Sequence, residues 1–179
     1  MNCDVERVLY SEEQIAEAVK KLGERITHDY EGKIPVLLCI LKGSSIFHAD
    51  LMRAVDLPVE VDFLVAKSYG MGAQSSGKLR ILKEPDIDIA GRDVIIVEDI
   101  LDTAVTLSAL LHTLSEKKPT SLKIAVFLDK NLGFEKPVKA DYTCFEVENE
   151  FLVGYGLDYA ERYRNLPYVG VLKREIYQN

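Results

Sequence analysis

Val94-Ile95-Ile96-Val97-Glu98-Asp99-Ile100-Leu101-Asp102-Thr103-Ala104-Val105-Thr106 begins with four apolar residues, continues through two adjacent acids and ends in a hydroxyl-rich turn. An unbroken apolar run of this length marks a strand buried on both faces, as in a parallel sheet. Such a strand delivers Glu98 and Asp99 at its carboxyl end. A helix follows from Thr106 to Lys118, with Leu107, Leu110, Leu111 and Leu114 as its apolar stripe. Its N-terminus offers the turn unpaired N–H groups and a positive dipole end, which suit a phosphate monoester. Thr103 and Thr106 add hydroxyl donors. Carboxylates repel phosphate but accept hydroxyls and hold a hard cation such as magnesium. Taken singly, Asp102 or Thr103 reads as a helix N-cap and Glu98-Asp99 as a strand terminus. Assembled on one strand–turn–helix unit, they read as a site for a sugar phosphate.

Outward from this unit the alternation repeats. Ser11-Glu12-Glu13-Gln14 has capping-box spacing, and Ile15, Val19, Leu22 and Ile26 share one helical face, giving a helix to about Tyr30 that stops at Gly32. Pro35 to Leu41 is another buried strand, bounded by Lys42-Gly43, and Ser45 to Asp56 is a helix ended before Pro58. Val59 to Val65 alternates as a strand and Arg80 to Leu82 is a short one. Asp93 to Val97 and Leu122 to Leu128 are buried runs. The order implies an α/β fold, a mainly parallel twisted sheet flanked by helices, with ligands beyond the carboxyl ends of the strands. From about Pro137 shorter strand-like pieces take over, Tyr142 to Glu146, Phe151 to Tyr155 and Tyr168 to Leu172. One domain is expected, with a core at about 11–136 and a small hood subdomain at about 137–179 together with residues 1–10.

Composition narrows the function. With 179 residues, 47% hydrophobic and 28% charged, the chain is an ordinary globular protein. No run approaches a membrane span and Met1 to Tyr10 lacks the apolar stretch of a signal peptide, so a cytoplasmic location is expected. Cys3, Cys39 and Cys144 are too scattered for a disulfide framework or a zinc site. A net charge of −7 with no basic patch argues against nucleic-acid binding. His28, His48 and His112 fall within expected helices and receive no catalytic role.

The thirteen residues resemble the phosphoribosyl pyrophosphate motif of the type I phosphoribosyltransferases: four apolar residues, two acids, two apolar residues, then Asp-Thr-Gly-x-Thr. Other segments, in order, are similar to the hypoxanthine–guanine branch of that family. Leu41-Lys42-Gly43 resembles its pyrophosphate loop. Ser68-Tyr69 with Gly70-Met71-Gly72-Ala73-Gln74-Ser75-Ser76-Gly77 resembles its mobile loop, Phe127-Leu128-Asp129-Lys130 its purine-contacting lysine, and Phe151 to Tyr159 with Arg164 its base-binding hood.

The resemblance implies roles. Glu98, Asp99, Asp102, Thr103, Ala104, Val105 and Thr106 would bind the ribose phosphate, and Lys42, Gly43 and Arg164 the pyrophosphate. Asp102 would be the general base near purine N7. Lys130, a donor only, would select a 6-oxo group; Phe151 would stack on the purine, and Leu152 would offer backbone groups to its edge, with Asp158 beside them. Magnesium would sit at Glu98 and Asp99, and a second ion at Asp158 through water. The Ser68 to Lys78 segment would be a lid that excludes water, and Leu41–Lys42 would be a cis peptide. The partners implied are phosphoribosyl pyrophosphate, a 6-oxopurine, and further copies of the chain in a homodimer or homotetramer. A xanthine-preferring transferase and an RNA-binding regulator on the same fold are the alternatives. Ala104 departs from the motif, which has glycine there; the loop is expected to survive with a negative φ at Ala104, as near a helix start.

Overall fold

The computed structural model describes residues 2–69 and 78–178. Two sheets organise it. The larger has six strands in the order β4-β3-β2-β5-β6-β7, with β2 Val36–Leu41, β3 Glu60–Tyr69, β4 Lys78–Lys83, β5 Asp93–Leu101, β6 Ser121–Asn131 and β7 Tyr142–Glu148. All neighbours are parallel except β3 and β4, so a mainly parallel sheet carries one antiparallel edge strand.

The unbroken apolar runs now have a physical cause. Along β5, Val94 and Ile96 point to one face and Ile95 and Val97 to the other, and both faces are covered. Helices α1, Glu12–Asp29, and α2, Ser45–Ala54, cover one face with Ile15, Val19, Leu22, Ile26, Phe47 and Leu51. Helix α3, Val105–Ser115, covers the other with Leu107, Leu110 and Leu114. The expected capping box on α1 forms: the Ser11 side chain accepts from Gln14 N–H, and the Gln14 side chain accepts from Ser11 N–H.

The smaller sheet is the hood, β1-β9-β8, made of β1 Val5–Tyr10, β8 Leu152–Val153 and β9 Val169–Leu172, followed by the short helix α4, Arg174–Tyr177. It joins the two ends of the chain, with Val5 opposite Leu172.

Several boundaries differ from the sequence reading. Tyr142–Glu148 is not part of the hood; it is the sixth strand of the main sheet, parallel to β6. Strand β5 runs past Val97 to Leu101, because β6 continues to pair with it as far as Leu101 and Asp129. Glu98 and Asp99 therefore lie within a strand. Ser68 and Tyr69, assigned to the lid, end β3, where they pair with Leu79 and Lys78 of β4; residues 70–77 of the proposed lid lie outside the described residues.

Candidate active site

The chain runs from β2 outward to β3 and β4, then returns to β5 and proceeds the other way through β6 and β7. The order thus reverses between β2 and β5, where open α/β sheets form a crevice. The register shows the crevice opening. Pairing of β2 with β5 stops at Cys39 and Val97, although β2 stays paired to β3 as far as Leu41 and β5 to β6 as far as Leu101. Beyond that fork lies a cavity of about 280 Å³. Lys42 and Gly43 line it from the β2 side, Glu98 to Ala104 from the β5 side, and Thr106 from α3. Val105 is exposed and does not line it.

Two acids form the floor. Asp99 Oδ1 accepts from Ile100 N–H at 2.8 Å. Its other oxygen lies so close to Gly43 that a Cβ on that glycine would sit 1.6 Å from it. Only glycine lets the β2 loop come this near. Gly156 of the hood closes on the same loop from outside: at φ +100 its Cα approaches the Gly43 carbonyl so closely that a Cβ would be 2.0 Å from that oxygen. Burial, and then the neighbouring Asp99 charge, push the Glu98 carboxyl well above the usual carboxylate range. Two adjacent carboxylates of this kind are chemically suited to a hard divalent ion.

The turn is built differently from the expectation. Neither Asp102 nor Thr103 caps α3; the N-cap is Ala104, with no side-chain cap bond, and the helix starts at Val105. Ala104 adopts φ +62 and ψ 5, the left-handed conformation, and not a negative φ. The helix axis is fixed by Leu107, Leu110 and Leu114 in the core, so the turn from β5 must bend sharply to reach it. A left-handed residue makes that bend, and alanine holds it at a cost of about 1 kcal/mol. In consequence the first N–H groups of α3 keep no side-chain cap, beside the exposed Thr103 and Thr106. An uncapped helix N-terminus of this kind is chemically suited to an anion.

Around the rim, charged side chains are paired. Lys130, with its side chain only 12% exposed, meets Asp102 Oδ2 at 3.4 Å. Arg164 pairs with Asp158 at 2.8 Å and Glu161 at 3.4 Å, and donates to the Gly156 carbonyl at 2.7 Å. Lys42 pairs with Glu161 at 3.2 Å. The peptide bond between Leu41 and Lys42 is cis. Sequence reasoning missed Glu161; it bridges the cations of both halves, a pairing across 119 positions with no local signal.

The remaining expected residues lie in the hood. Phe151 stacks on Tyr177, centroids 4.5 Å apart, so one face of its ring is already covered. Phe151 O accepts from Leu172 N–H, which makes 151/172 and 153/170 the bonded pairs of the β8–β9 ladder. The N–H and C=O of Leu152 therefore point away from β9, free for another partner. Asp158 accepts Glu161 N–H at 2.8 Å besides its Arg164 contact. Among the described residues, no group of three or more His, Cys, Asp and Glu side chains is arranged to hold a metal ion. Glu98 and Asp99 adjoin each other without a third such ligand, and Asp158 is not grouped with them.

A cleft with an acid pair, an uncapped helix N-terminus and a Lys-Gly loop can bind a phosphorylated sugar and counter charge on a leaving group. The family model described as "Phosphoribosyl transferase domain" matches residues 8–160. The chain belongs to the phosphoribosyl transferase family. It is 51% identical over 174 residues to the hypoxanthine-guanine phosphoribosyltransferase of Streptococcus thermophilus and 52% identical to that of Streptococcus pyogenes, in each case covering 97% of both proteins. Its fold matches the crystal structure of a hypoxanthine phosphoribosyltransferase from Staphylococcus aureus with a TM-score of 0.96 and 43% identity, over 100% of this chain and 97% of that one. The α/β architecture is thus that of the type I family.

Proposed function

We propose that this protein transfers the phosphoribosyl group of phosphoribosyl pyrophosphate to N9 of hypoxanthine, and of guanine, releasing pyrophosphate and the nucleoside 5'-monophosphate. The observation that carries the reading is the convergence of three elements on one cavity: the β5 acid pair, the uncapped α3 N-terminus and the Lys42–Gly43 loop. The 5'-phosphate sits on the α3 amides and the Thr103 and Thr106 hydroxyls, and the ribose hydroxyls meet Glu98 and Asp99. Lys42 and Arg164 receive the pyrophosphate as their pairing with Glu161 and Asp158 yields to it.

The bond from C1 to pyrophosphate breaks as the purine nitrogen forms its own bond to C1. Negative charge collects on the leaving group, where the two cations lie. Asp102 holds or takes up the purine proton near N7. Lys130 donates to the 6-oxo oxygen, where adenine has an amino group, a donor facing a donor. Leu152 offers its outward-facing backbone groups to the base edge, and Phe151, held between Tyr177 and Tyr159, covers the ring. Glu98 and Asp99 would hold a magnesium ion, which would supply Lewis-acid neutralisation of the diphosphate. A cytoplasmic location and a homodimer or homotetramer complete the reading; among the described residues no helix is long and apolar enough to cross a membrane.

The test is pyrophosphate release with hypoxanthine, guanine, xanthine and adenine in parallel, with magnesium and with excess chelator. Turnover with the first two bases, abolished by chelator and restored by magnesium, is expected. Adenine turnover equal to that of hypoxanthine would defeat the role given to Lys130, and full turnover in chelator the role of magnesium.

A further inference from the structure

Lys136 lies on the connection between β6 and β7 and has no part in the transfer chemistry. Its side chain is only 8% exposed, and its ammonium donates to the Leu101 carbonyl at 2.6 Å and to Asp129 Oδ1 at 2.5 Å. A lysine is withdrawn this far only where acceptors compensate the loss of water. The path of the chain does not impose it: Glu135 and Lys139 on the same connection pair with each other in solvent, 83% and 81% exposed.

Both acceptors adjoin residues that face the purine. The Leu101 carbonyl belongs to the peptide that leads into Asp102, and Asp129 immediately precedes Lys130. Leu101 and Asp129 are register partners across β5 and β6, and the Leu101 side chain packs on the α3 face. Lys130, one residue on, points to the opposite face, where it meets Asp102. One buried ammonium thus ties together the ends of the two strands from which Asp102 and Lys130 project.

We infer that Lys136 is a positioning residue for the purine half of the site. It sets the gap between Asp102 and Lys130, which have to meet N7 and the 6-oxo oxygen on one edge of the same base. This rests on the roles proposed for those two residues. Ligand-contacting groups have to be held within a fraction of an ångström, and a buried supporting contact is how a strand end achieves that.

Lys136→Met keeps the stem and removes the ammonium. The KM for the base is expected to rise roughly tenfold with a fall in kcat, while the KM for phosphoribosyl pyrophosphate stays unchanged. Because this variant strips half-buried Asp129 of its partner, the double variant Asp129→Leu with Lys136→Met accompanies it. Removing both charges restores thermal stability without restoring the donor to Leu101. A raised base KM in the stable double variant supports positioning. A wild-type base KM there overturns it, since Lys136 would then only neutralise Asp129. Lys130→Met is the control. A wild-type base KM in that variant removes the purine reading itself, whereas a large loss there beside normal kinetics in the double variant defeats the role of Lys136 alone.

Discussion

The β5–α3 turn lines the cleft and the hood packs against its Lys42–Gly43 loop, yet the two are constructed in opposite ways. The turn draws its acids, hydroxyls and helix amides from one uninterrupted segment, residues 98–106, anchored at both ends by buried strand and helix. The hood assembles its groups from distant stretches. Arg7 pairs with Glu150, Tyr163 OH donates to Asp4, and Tyr155 OH donates to Asp50 of α2. Its loop also holds four non-glycine residues at positive φ: Tyr155, Ala160, Glu161 and Tyr163. Each such residue costs free energy that packing has to offset. On the proposed function, chemistry and stability are therefore separable in the turn and fused in the hood, where the Arg164 ion pairs have both tasks.

Substitutions put this contrast at risk. The largest effect is expected from Asp102→Asn. Asp102 is not the cap of α3, so the melting temperature should hold while kcat falls by roughly 10²-fold or more. A matching loss of stability would erase the separation claimed for the turn. In the hood, Arg164→Met removes the partner of Asp158 and Glu161 and the donor to Gly156 O. Here both readouts should move: a KM for phosphoribosyl pyrophosphate raised about tenfold, and stability lowered by about 1 kcal/mol or more. Unchanged stability would make the hood resemble the turn.

Ala104, the turn's own strained residue, gives a finer measure of the same difference. Ala104→Gly relieves the left-handed strain but enlarges the unfolded ensemble, so stability should be unchanged or rise by up to about 1 kcal/mol. Ala104→Val should lose more than that and weaken sugar-phosphate binding first, because a branched side chain tolerates φ +62 poorly. Denaturant titration of the pair checks the sign. The smallest effect concerns neither region but the core behind the cleft. Burial holds His48 below its ordinary pKa, while its Nε2 lies 3.3 Å from Leu37 O. The unfolded chain then binds a proton that the folded one refuses, so stability should decline as pH falls below about 6.5, at most about 1.4 kcal/mol per pH unit. His48→Asn should flatten that decline.

Periodicity was enough to read what is locally determined. The apolar runs of β2, β5 and β6, the stripes of α1 and α3, and the Ser11 box are consequences of residues within one segment, and all are present. The acid pair and its helix were legible for the same reason. What escaped depends on partners far along the chain. Val5-Glu6-Arg7-Val8-Leu9-Tyr10 is placed with the hood from the sequence but not read as a strand, because it has no strong alternation and becomes one through β9, far along the chain. The φ of Ala104 follows from where the core fixes α3, and not from any residue in the turn. Glu161 and Lys136 look like ordinary surface charges until the fold brings Lys42 and Asp129 to them.

The pairing of β1 with β9 also has a consequence for biosynthesis. At a translation rate of roughly 5–20 residues per second, β1 is synthesised roughly 10–30 seconds before Leu172, its last partner, is added. Until then it is an edge with unmet backbone groups, open to non-native pairing. The main sheet has all six of its strands by Glu148, so it can close while the hood cannot. The hood is thus completed after the main sheet, although its first strand precedes every strand of that sheet.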